Sequence, residues 1–140
     1  MNEPALYTGL AAAHETAHYI GYAAEEDANF LGFLVCESSQ SCALKYSAYM
    51  HALTHCASAL YRIDKEAYSR VRTLYGPYME LDLRDYSAHC DKYKDTKLME
   101  TSEKVNDSYL KANGQEKGVA SYEEDVALLL RYYDSCSLFN

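Results

Sequence analysis

A chain of 140 residues with 49% apolar residues and a formal charge of −8 can build one domain with its own core, which excludes a disordered tail. Its acidity works against phosphate backbones, so no nucleic-acid partner is expected. No apolar run reaches the roughly 18–20 residues of a membrane span, and the opening MNEPALY lacks the basic n-region of a secretory signal, so these residues read as a soluble unit.

Six Gly and two Pro stand against many Ala, Leu, Glu, Lys and Tyr. The expected class is therefore all-α, a single domain of about five or six helices. The first helix is expected from Pro4, which suits a first turn, to Tyr22, with Gly21 near its end as a left-handed stop. A second is expected over Ala24–Cys36, ended by the polar ESSQS. A third covers Ala43–Tyr61 with apolar residues near helical spacing. Asp64 caps a fourth that stops before Gly76-Pro77. A fifth runs from Tyr78 towards Lys111, broken near Lys97, followed by a loop at Asn113-Gly114 and Gly118. Ser121 and Glu124 form a capping-box pattern opening a last helix to about Tyr133, whose VALLL run reads as core. The 15 Tyr, with an apolar body and a polar tip, are expected at the core's edge.

Five Cys occur without any C-x-x-C pair, which argues against a thiolate metal site. Cys36 and Cys42 flank the ESSQS loop and could bridge it in an oxidising compartment. The favoured reading is that all five are small buried apolar residues.

The chemistry-bearing motif is HETAH, residues 14–18. His14 and His18 lie one turn apart on one helix face, so both imidazoles can reach one Zn²⁺. Glu15 stands beside such a metal rather than on it, where a carboxylate can take a proton from the attacking water and later deliver it to a leaving amine. A catalytic zinc needs a third protein ligand and an open position. Glu25, Glu26 and Asp27, on a short return after Gly21, are the candidates, although acids are also favoured at a helix N-terminus by its dipole. Asn29, one turn after Glu25, could orient a ligand. Tyr46 and Tyr49 could each supply an O–H opposite the metal. His51 and His55 repeat the i, i+4 spacing in HALTH, but no Glu follows the first and no acidic cluster is near, so they read as ordinary helix-face histidines. Asn106, Asp107, Lys111 and Asn113 are candidates for a supporting shell or cleft, against plain capping and solvation.

HETAHYIGYAAEEDANFLGFL resembles a bacterial domain-of-unknown-function family whose members are membrane-anchored and read as zinc peptidases, with HExxHxxG followed by E-[DE]-[DE]-A-N-F. KYSAYMHAL (45–53) and VNDSYLKANGQEKGVASYEEDVALLL (105–130) are similar to further blocks of that family. Asp27 departs from the more usual Glu, and Ser47-Ala48 from Ser-Gly. The resemblance implies a gluzincin-like site in which E-x-x-A-N supplies the third ligand, hence Glu25. It also implies a peptide or protein substrate, a membrane anchor outside these residues and an extracytoplasmic domain. Zincins hold substrate along an edge strand upstream of the active-site helix. The 13 residues before His14 leave no room for one, so residues 1–140 are expected to be the C-terminal part of a longer protein. The leading expectation is a zinc metallopeptidase. The alternatives are a non-catalytic helical module binding a metal or a protein, or an inactive truncated piece.

Overall fold

The computed structural model of the chain describes residues 5–94 and 121–136. Six helices and no strand occur among them, as an all-α single domain requires. The alanine-rich α1 spans Ala5–Tyr19, ending before Tyr22 because residues 20–22 form its C-terminal turn. The helix α2 spans Glu25–Ser38. It runs past Cys36 because Glu37 and Ser38 continue the turn, and Glu37 accepts hydrogen bonds from Tyr132 and Tyr49.

Ser41 caps α3, Cys42–Ile63, by accepting from the Leu44 amide. Asp64 ends α3 and starts α4, Lys65–Arg72. Its own N–H bonds Leu60 O at 2.7 Å, while its Oδ1 accepts from the Glu66 and Ala67 amides at 3.0 and 2.9 Å. This satisfies orphan backbone groups at both helix ends. Pro77 opens α5, Pro77–Lys94. The last helix, α6, spans Ser121–Ser135. The expected extension of α5 to Lys111, its break near Lys97, the loop at Asn113-Gly114 and Gly118, and residues Asn106, Asp107, Lys111 and Asn113 lie outside the described residues.

The core is assembled from α1, α2, α3 and α6 through Leu10, Phe33, Cys36, Ala48, Ala52 and Leu129. Phe33 is wholly buried and meets the Tyr132 ring edge-on at 5.6 Å. The Tyr132 hydroxyl leaves the core to donate to Glu37, the use of a tyrosine at a core boundary. Within VALLL, Val126 and Leu129 are buried and Leu130 is exposed. No cysteine is bridged. The Cys36–Cys42 bridge is absent, and the all-buried reading holds only for Cys36, because Cys42 and Cys136 are exposed and Cys56 and Cys90 half-buried.

The approach of α2 to α1 depends on a stripe of α2, Glu25, Ala28 and Gly32, at i, i+3 and i+7. Ala28 is fully buried, and a Cβ at Gly32 would stand 3.3 Å from the His14 backbone nitrogen and 3.4 Å from the Leu10 carbonyl oxygen. Without a side chain at Gly32 the two helices pass closely at the level of His14. On the α3 side, a side chain at Gly9 would run into Leu44.

Candidate metal centre

The geometry begins with Gly21. Its φ of +114° is one that L side chains rarely adopt. It closes α1 as a Schellman turn: the Gly21 amide bonds His18 O at 3.0 Å and the Tyr22 amide bonds Ala17 O at 3.1 Å. The turn brings the Tyr22 carbonyl under His18, whose Nδ1 donates to it at 2.7 Å. That bond fixes the tautomer and leaves the His18 Nε2 lone pair facing away from it.

The Nε2 lone pair points into a triad. His14 Nε2 lies 3.0 Å from His18 Nε2, and the Glu25 carboxylate reaches both, Oε2 to His14 and Oε1 to His18, each at 3.4 Å. Two ligands bonded to a tetrahedral zinc at about 2.0–2.2 Å stand about 3.3 Å apart. Two nitrogens and one carboxylate are also the donor set of a catalytic zinc site, and the triangle they form matches that edge, so these residues fit the ion. Of the three acids at the start of α2, it is Glu25 that meets both histidines. Glu26 and Asp27 have no contact with them among the described ion pairs.

His14 and Glu15 face a cleft of about 520 Å³, also lined by Asn29, Tyr86, His51 and His55. Glu15 is exposed there and Asn29 is half-buried. Tyr46 and Tyr49 are not among the residues lining that cleft. The Tyr46 hydroxyl donates to Asp82 at 2.6 Å, and burial together with that carboxylate pushes it up to about 12. Tyr49 donates to Glu37 at 3.5 Å.

In the same cleft the structure corrects the reading of His51 and His55 as ordinary helix-face residues. Both turn inward onto Asp125 of α6, whose side chain is 0% exposed. His51 Nε2 donates to Asp125 Oδ2 at 3.1 Å, and His55 Nδ1 lies 2.6 Å from the same oxygen. Burial pushes the Asp125 carboxyl up, but its contacts with the two imidazoles outweigh this and hold it below the ordinary carboxylate range. Burial pushes His51 down, the Asp125 hydrogen bond opposes this, and the neighbouring His55 and His14 lower it further.

The model of the family described as protein of unknown function, DUF3810, matches residues 1–130. The chain belongs to this family. No curated protein and no solved structure matches it. Within this DUF3810 chain the triad His14, His18 and Glu25 and the cluster His51, His55 and Asp125 both fall inside the matched span.

Asp125 does not stand out in the sequence because it directly follows Glu123 and Glu124, first-turn acids that have an ordinary reason to be at a helix start. The signal that could have found it was the i, i+4 pair in HALTH, which needs a carboxylate from a distant element to be more than a surface pair. Asp125 is 74 residues from His51.

Proposed function

We propose that this chain carries the active centre of a zinc-dependent metallopeptidase, with His14, His18 and Glu25 holding the ion and Glu15 as general base. The observation that carries the reading is the convergence of three ligand residues, with the two nitrogens 3.0 Å apart and a Glu25 oxygen 3.4 Å from each, beside a cleft that His14 and Glu15 line. Zinc, when bound, supplies Lewis acidity toward water and a substrate carbonyl. The protein does the rest. Glu25 brings the negative charge that offsets part of the cation's. The Tyr22 carbonyl holds the His18 ring in one orientation and makes its Nε2 a better donor. Glu15 accepts a proton from the water that attacks the peptide carbonyl and passes it to the leaving amine.

A structural metal site or a partner-binding module has no use for an exposed carboxylate in that place, which favours catalysis over those alternatives. The family resemblance supports peptide as the substrate and an extracytoplasmic, membrane-anchored setting. No helix among the described residues is long and apolar enough to cross a membrane.

Zinc affinity and peptide hydrolysis in the natural full-length protein test the assignment. Glu25→Gln is expected to weaken zinc binding by at least about tenfold. Glu15→Gln is expected to keep zinc and lose hydrolysis by roughly two orders of magnitude or more, the scale of a lost general base. Equal, weak zinc binding in the natural protein and both variants would sink the ligand set.

A further inference from the structure

We propose that His51, His55 and Asp125 form a second site for a divalent transition-metal ion, on the wall of the same cleft. The inference goes beyond the peptidase reading and does not depend on it.

Four observations carry it. His51 and His55 stand at i and i+4 on α3, the spacing by which His14 and His18 present two nitrogens to one point. Asp125 arrives from a different helix, its Oδ2 3.1 Å from His51 Nε2 and 2.6 Å from His55 Nδ1, and one donor atom from each residue lies within 4.8 Å of the others. Asp125 is 0% exposed, yet its Oδ1 has no hydrogen-bond partner among the described residues. A fully buried carboxylate normally has both oxygens satisfied, and leaving one bare is costly. A coordinating cation takes up that oxygen or its neighbour and cancels the buried charge. Finally, His51 and His55 line the 520 Å³ cleft, so an ion has a route from solvent to the cluster.

The chemistry of the donor set narrows the ligand. Two imidazoles and one carboxylate favour zinc, cobalt or nickel over calcium or magnesium, which take oxygen ligands. Both nitrogens bind as neutral lone-pair donors. Coordination through His51 Nε2 therefore requires the neutral ring to carry its proton on Nδ1 instead, a change of tautomer with no net release of a proton.

The test titrates the metal-free protein with Co²⁺, following visible d–d absorption and the metal retained after desalting. Two equivalents per chain are expected. The decisive variant is His14→Gln/His18→Gln, which leaves the buried cluster untouched and is expected to retain one equivalent. His51→Gln/His55→Gln, checked for folding by circular dichroism, is expected to retain the other. If the His14→Gln/His18→Gln protein binds no cobalt, the second site is overturned and the cluster is a hydrogen-bonded core pair only. If instead that variant binds one equivalent while the His51→Gln/His55→Gln protein folds and binds none, the second site stands and the zinc site of the proposed function falls.

Discussion

At the scale of single residues, Gly21 has the largest leverage for its size. Apart from its chain neighbours, nothing lies within 4 Å of where its Cβ would be. Its contribution is the positive φ that closes the Schellman turn and sets the Tyr22 carbonyl against His18. Gly21→Ala is expected to cost about 1–2 kcal/mol of stability from backbone strain alone. It should also weaken zinc binding, because the carbonyl that orients His18 shifts. Gly21→Asn, which tolerates left-handed backbone better, should fall between the two. Urea denaturation and competitive zinc titration of the three proteins check the order. Unchanged zinc affinity in a destabilised Gly21→Ala protein would show that the turn stabilises the helix end without positioning the ligand.

At the scale of elements, the candidate site is a property of how α2 crosses α1. Glu25 reaches the histidines because Ala28 and Gly32 on the same stripe let the helices close up. Gly32→Val inserts a branched side chain where the backbone of His14 already stands 3.3 Å from a Cβ position. The added bulk is expected to destabilise the fold by about 1–3 kcal/mol, the usual cost of overpacking. It should also lower zinc affinity by moving Glu25 away from His14 and His18. Thermal unfolding and zinc titration measure both effects. A fall in stability with zinc affinity intact would mean that α2 pivots about Glu25 rather than shifting as a unit. The third helix is held differently: Asp64 ends it and caps α4 in the same stroke, where the sequence showed only the cap of the fourth helix and placed the end of the third near Tyr61.

At the scale of the whole molecule, zinc would join α1 to α2 only in the folded state, so binding and stability are linked. At free zinc about a hundredfold above its dissociation constant, the folded state is expected to gain about 2.7 kcal/mol. For a chain of this size that is a rise in melting temperature of roughly 5–10 °C, reversed by a chelator. Glu25→Gln, with zinc affinity lowered at least about tenfold, should remove about half of the rise or more. A melting temperature indifferent to zinc and chelator alike would remove the link.

The amino-acid sequence by itself determined what is local. Scarce Gly and Pro and the helical spacing set the all-α class and the helix starts at Glu25, Cys42, Lys65 and Ser121 to within a residue or two. HETAH put two imidazoles on one face because helix pitch alone does so, and Gly21 marked the reversal. The spacing left Glu25, Glu26 and Asp27 open and the family resemblance pointed to Glu25; only the tertiary structure supplied the physical reason, since three adjacent acids on one helical turn point in three directions and the crossing with α1 brings Glu25 to those imidazoles. It also placed Tyr46 and Tyr49 on Asp82 and Glu37. Finally, it turned His51 and His55 from a surface pair into a buried cluster with Asp125, a partner that no local spacing could name because burial against α6 brings it there.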